Sequence, residues 1–170
     1  MITIQPITFK GIPDKYQAID NLVSRSAQPK PEDFVWLKEQ GVTDIVNLRT
    51  MLDPYIKFNE KNIVEELGMN YHHIPTNTRK PKEEDVNRFL KLTEEIKQRN
   101  GKVHVHCHAG VDRTGLFAFV YKMKNGIENL DFNIQEWISK GHHQKLYPNM
   151  IEWGKNFIKN FHNQRPPFPL

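Results

Sequence analysis

The chain has 170 residues, 24 Lys and Arg against 20 Asp and Glu, and a single cysteine. That length suits one domain with a core of its own, and a lone cysteine excludes an internal disulfide framework. A net charge of +4 gathers into no basic stripe of the kind nucleic acid requires, and no run approaches the ~18 consecutive apolar residues of a membrane span.

In chain order, residues 1 to 20 read as an irregular N-terminal segment and Leu22 to Arg25 as a short edge strand. Pro31 to Gln40 reads as a helix that opens on Pro-Glu-Asp and stops at Gly41. Val42 to Leu48 follows as a buried strand, Pro54 to Leu67 as a helix closed by Gly68, and Tyr71 to Ile74 as a strand. From Lys82 to Gln98 the residues Val86, Phe89, Leu90, Leu92 and Ile96 give a long amphipathic helix, ended by Asn100-Gly101. Lys102 to Val105 is a short buried strand, after which Leu116, Phe117, Phe119, Val120 and Met123 recur at helical spacing. Asn133 to Ser139 and Asn149 to Phe161 are two further helices, and Trp36, Trp137 and Trp153 fall on apolar helix faces as core residues. The tail from Arg165 to Leu170 has too much proline for a helix. This alternation predicts a single α/β domain, a central and mostly parallel sheet flanked by helices, over residues 21–162, with a tail at 163–170.

The chemistry concentrates between the last strand and its helix, in His106-Cys107-His108-Ala109-Gly110-Val111-Asp112-Arg113-Thr114-Gly115. A loop entering a helix N-terminus aims unpaired amides and the positive end of the helix dipole at one point, where an anion can sit. Gly110 permits the tight turn, and Arg113 adds a planar fork of donors that matches two phosphate oxygens. The same field favours the thiolate of Cys107. Thr114 is placed to hydrogen-bond the sulfur as a leaving group, and His106 to prop the loop.

His106-Cys107-x5-Arg113-Thr114 resembles the signature loop of the protein tyrosine phosphatase superfamily. Cys107-x-x-Gly110-x-Asp112-Arg113-Thr114-Gly115 is similar to its small bacterial dual-specificity and phytase-like members. Ser24-Arg25-Ser26-Ala27-Gln28-Pro29, Gly41 to Arg49 and Gly141 to Asn149 carry the resemblance to either side of the loop. It implies the fold of those phosphatases and a phosphomonoesterase that works through a cysteinyl-phosphate, with no metal and no cofactor. Cys107 is then the nucleophile, and His108, Ala109, Gly110 and Val111 surround the phosphate together with Arg113. A phosphorylated protein is the expected substrate and inositol polyphosphate the alternative. No secretory signal pattern opens the chain, so cytoplasm is the expected location; the oligomeric state is open.

The general acid departs from the family pattern. Relatives place an Asp on a mobile loop well before the cysteine, where this chain has Ile74-Pro75-Thr76-Asn77-Thr78-Arg79-Lys80-Pro81. Asp112 is the first replacement, Asp53 the second and Asp85 the third, and a substrate with a good leaving group needs none. Arg79 and Lys80 in that loop suit a substrate with several phosphates. Gln28 is placed to contact substrate or to form a turn, and Gln144, in a rim loop with His142 and His143, to orient water. Competing readings are a metal hydrolase built on the alternating His104, His106 and His108, a sulfurtransferase, and a non-catalytic phosphate-binding module.

Overall fold

The structure is a computed structural model and describes residues 11–164. Five short strands form one sheet: β1 (Gln17–Ala18), β2 (Val23–Ser26), β3 (Asp44–Asn47), β4 (Asn70–His73) and β5 (Val103–His106). Their order is β1-β2-β5-β3-β4, with β1 antiparallel to β2 and every other pairing parallel. Six helices follow the intervals: α1 (Pro31–Glu39), α2 (Glu60–Glu66), α3 (Glu83–Gln98), α4 (Arg113–Lys124), α5 (Leu130–Ser139) and α6 (Met150–Asn163).

The period-two geometry of a strand explains how the sheet serves two layers at once. In β5, Val103 and Val105 join a core with Phe89 of α3, Phe117 of α4 and Trp137 of α5, while in β3 Ile45 packs with Phe34 and Leu37 of α1 on the other side. His104 and His106 take the remaining face of β5. There the rings meet Tyr16 and Phe34, and their nitrogens find Ser24, Ser26 and Glu60. The alternating histidines thus satisfy a buried polar layer, with His104 held between two hydroxyls at 2.8 and 2.7 Å.

Two boundaries differ from the sequence reading for identifiable reasons. The second helix starts at Glu60, where Asn59 Oδ1 accepts the amide of Asn62 at 3.1 Å, rather than at Pro54. Arg49 donates to the Pro54 carbonyl, so residues 49–59 remain a loop. Likewise α5 begins at Leu130, because Asn129 Oδ1 caps the amide of Phe132 at 2.8 Å. Within the stretch read as irregular, Gln17–Ala18 pairs with β2, so β1 rather than β2 is the edge strand. The tail from Arg165 lies outside the described residues.

Strands β2, β5 and β3 end in register at Ser26, His106 and Asn47. Ligands of parallel α/β sheets bind beyond these carboxyl ends, and the loop after central β5 is the signature loop.

Candidate active site

The loop from Cys107 to Asp112 is shaped by what holds its carbonyls. The Cys107 carbonyl accepts from His106 Nδ1 (3.2 Å), that of His108 from the Gln28 amide (3.0 Å), and that of Ala109 from Lys15 Nζ (3.0 Å). The Gly110 carbonyl accepts from Arg25 Nη2 (2.7 Å), the Val111 carbonyl from Trp137 Nε1 (2.9 Å), and the Asp112 carbonyl from the amide of Leu116 (2.9 Å). Each donor belongs to a neighbouring element outside the loop or to the start of α4. In a planar peptide the N–H points away from the C=O, so carbonyls tied outward leave amides free to turn inward. The amide of Gly110 does so, donating to Cys107 Sγ at 3.3 Å.

Gly110 is required on two counts. Its φ is +72°, and a Cβ there would lie 2.5 Å from the Ala27 nitrogen. Gly115 faces a similar limit: its missing Cβ leaves room for the Trp137 ring, which a methyl would meet at 2.0 Å.

Cys107 is buried at the foot of this loop, and two guanidinium groups act on it. Burial lowers the pKa of Arg25 from its ordinary value, opposed by attraction to Cys107 and Glu136. Burial also disfavours the charge on Arg113, but the bonds to Asp53 and the attraction of Cys107 outweigh it and raise that pKa. Arg113 grips Asp53 in a fork, Nη1 to Oδ2 at 2.7 Å and Nη2 to Oδ1 at 2.5 Å. The fork assigned from sequence to two phosphate oxygens is therefore engaged by a carboxylate on the 49–59 loop. The thiol bond expected of Thr114 is not formed either: its hydroxyl is buried and has no hydrogen-bond partner among the described residues.

The carboxylates proposed as acids are placed as follows. Burial pushes the Asp112 carboxyl up, but His142 Nδ1 (2.7 Å), the His143 amide (3.0 Å) and His143 Nδ1 (2.8 Å) donate to it and bring it below the usual range. Asp53 is likewise desolvated, yet Arg113 and the amide of Thr50 hold it well below that range. Both are poor proton donors near neutral pH. Asp85 sits in the first turn of α3, and burial beside Glu84 raises it.

Under the loop, His106 Nε2 meets Glu60 Oε1 at 2.6 Å, and Glu60 also accepts from Gln28 (3.0 Å) and Asn47 (3.3 Å). Gln28 in turn accepts from Arg49 at 2.6 Å. Burial favours the neutral form of Glu60, but His106 and Gln28 reverse this and lower its pKa. Gln28 thus links the His108 carbonyl to Glu60 and Arg49.

A cavity of about 280 Å³ opens beside Arg113, bounded by Asp53, Thr76, Asn77, Arg79 and Tyr147. Arg79 lies over the Tyr147 ring, 5.5 Å from its centre, and also borders a neighbouring cavity of about 190 Å³ with Leu146 and Trp153. Asn77 Oδ1 accepts the amides of Arg79 (2.9 Å) and Lys80 (3.2 Å) and fixes the turn. Of the basic pair read from the sequence, Arg79 borders both cavities while Lys80 is exposed and lines neither. His108 is exposed, Ala109 half-buried, and Val111 buried.

Four contributors escaped the sequence reading as site residues: Lys15, Arg25, Glu60 and Trp137. Arg25 carried a signal, since a cation inside a short strand has to find a buried acceptor.

The family model described as DSP-PTPase phosphatase fused to NAD+ kinase matches residues 8–147. The mouse (Mus musculus) dual specificity protein phosphatase CDC14B is 30% identical over 123 residues, 67% of this chain and 23% of that protein. The chain thus spans about a quarter of that relative's length. A DUF442 protein from Shewanella putrefaciens CN-32 superposes with a TM-score of 0.69 at 26% identity, covering 92% of this chain and 94% of that one. The catalytic core of the PP-IP phosphatase SIW14 from S. cerevisiae shares the fold, with a TM-score of 0.70 at 18% identity over 94% and 97% of the two chains. With a family match over most of its length and an architecture shared by these phosphatase cores, the chain belongs to the DSP-PTPase phosphatase family.

Proposed function

We propose that the protein is a phosphomonoester hydrolase of the tyrosine or dual-specificity type, acting through a cysteinyl-phosphate at Cys107 without a metal. The observation that carries this reading is the loop whose carbonyls from Cys107 to Asp112 are all bonded away from its centre, with the Gly110 amide on the sulfur. Amides turned inward by such bonding would stabilise the equatorial oxygens most as charge spreads in the transition state. The Cys107 thiolate attacks phosphorus, the P–O bond to the leaving group breaks, and that oxygen takes a proton. Water then attacks the thiophosphate, the S–P bond breaks, and orthophosphate leaves. The unpartnered Thr114 hydroxyl is available to the departing sulfur. Arg113 serves phosphate by transferring donors from Asp53.

The positive charge of Arg25 and Arg113 next to Cys107 supports a route that uses no metal. His104 and His106 have both ring nitrogens engaged by Ser24, Ser26, Glu60 and the Cys107 carbonyl, which leaves them unsuited as ligands. The catalytic unit proposed over 21–162 gains Lys15 and β1 on its N-terminal side.

Inositol polyphosphate is the second reading. It is favoured by Arg79 standing between two adjoining cavities, which leaves room for more than one phosphate, and by the fold shared with a PP-IP phosphatase. Phosphate release in EDTA from a phosphotyrosine peptide and from inositol hexakisphosphate tests both readings, with Cys107→Ser as blank. Release from either, abolished in that variant, is the expected result. Release that EDTA abolishes, or that the variant retains, contradicts the mechanism.

A further inference from the structure

Resting on the phosphatase reading, we propose that His143, aimed by Asp112, is the proton donor to the leaving oxygen. The loop that should supply a carboxylate, 75–81, has none. Asp112 and Asp53 are each held ionised by charged or amide donors. What remains bonded directly to the signature loop is an imidazole.

The geometry is specific. Asp112 Oδ2 takes the Nδ1 hydrogen of His143 at 2.8 Å, and Oδ1 takes the His143 amide at 3.0 Å, so ring and backbone are fixed by one carboxylate. A carboxylate that accepts at Nδ1 sets the tautomer and stabilises the protonated ring, leaving Nε2 as the site where a proton comes and goes. The His143 side chain is 55% exposed, so the ring is accessible to a substrate. Its carbonyl accepts the amides of Leu146 (3.0 Å) and Tyr147 (2.8 Å), and Tyr147 lines the Arg113 cavity one turn away.

The neighbouring histidines differ in ways that matter. His142 shares the Asp112 carboxylate at 2.7 Å, but it is buried against Trp137, 4.7 Å between ring centres, and its Nε2 is sealed from solvent. It positions Asp112 and cannot reach substrate. His108 is exposed, yet among the described residues its ring has no hydrogen bond to orient it. Asp112 on the signature loop faces His143 directly, and the other ionisable groups of its own segment are His142, Lys140, Lys145 and Tyr147. Among the described residues, the single acid bonded to it is Asp112.

The step balances simply. Nε2–H passes its proton to the departing oxygen as the P–O bond breaks, and the neutral Nε2 then takes a proton from the water that attacks the cysteinyl-phosphate.

The test compares His143→Asn with wild type on a phosphotyrosine peptide and on p-nitrophenyl phosphate, whose leaving group departs readily as an anion. Loss of a general acid lowers kcat/KM, which reports the steps through leaving-group departure, by about 10²–10⁴-fold on the peptide, spares kcat/KM for p-nitrophenyl phosphate, and removes the alkaline limb of the kcat/KM–pH profile on the peptide. Asp112→Asn, which keeps an acceptor oxygen but removes the charge, reproduces the same selectivity. Equal losses of kcat/KM on the two substrates, or an unchanged kcat/KM–pH profile in His143→Asn, overturn the assignment while Cys107-dependent turnover leaves the phosphatase reading intact. A wild type inactive on both overturns both.

Discussion

Residue chemistry explains how the loop after β5 is held and why two carboxylates beside it are poor proton donors near neutral pH. Arg113 and Asp53 form a nearly buried two-bond pair, with side chains 10% and 8% exposed. Removing one member of such a pair leaves the other charge uncompensated, at a cost of about 3 kcal/mol. Asp53→Asn is therefore expected to lower the unfolding free energy at neutral pH by about that amount. The sign of the pH dependence follows from the depressed folded pKa of Asp53 relative to its ordinary 3.8. Its stabilisation is present above that ordinary value and is lost as pH falls toward the folded one, so the wild-type and variant stability curves converge in acid. Parallel denaturation curves at neutral and acid pH would contradict the pairing. The sequence showed Asp53 only as a second-choice acid, because nothing local says that a residue 60 positions away holds its carboxylate.

At the scale of elements, the strand–loop–helix of the signature was legible because hydrophobic spacing and the Gly110 turn are local signals. Its supports were not. The donors that turn the loop come from Lys15, Arg25, Gln28 and Trp137, brought together by sheet order and by α5 packing on α4. Trp137 read as a core residue, and it is buried, but its indole N–H also anchors the Val111 carbonyl. Trp137→Phe keeps an aromatic ring and removes that donor, leaving a buried carbonyl unsatisfied at a cost of about 1–3 kcal/mol. We expect a matching fall in stability, and a raised KM as the Val111 peptide loses its anchor. An unchanged KM in a folded variant would show that the indole only fills space. The helix start at Glu60 rather than Pro54 has two causes: the Arg49 contact with the Pro54 carbonyl is tertiary, whereas the Asn59 cap is a local signal.

For the whole molecule, the mostly parallel sheet places the loop from Cys107 to Asp112 beyond the carboxyl end of β5, between β2 and β3, and two buried cores hold those strands from either face. The mostly parallel α/β order was accessible from alternating elements, and the family from one loop. Substrate preference was not, because the cavities flanking Arg79 are made by residues from the 50–53, 76–81 and 146–153 stretches, whose convergence only the fold reveals. None of the helices among the described residues is long and apolar enough to cross a membrane. The central claim is a covalent intermediate on the one cysteine of the chain, and acid quenching during turnover followed by mass spectrometry of the Cys107 peptide tests it most directly. The account predicts a phosphoryl group on Cys107 that is absent in Cys107→Ser, whereas steady turnover with an unmodified Cys107 peptide at every quench time would contradict it.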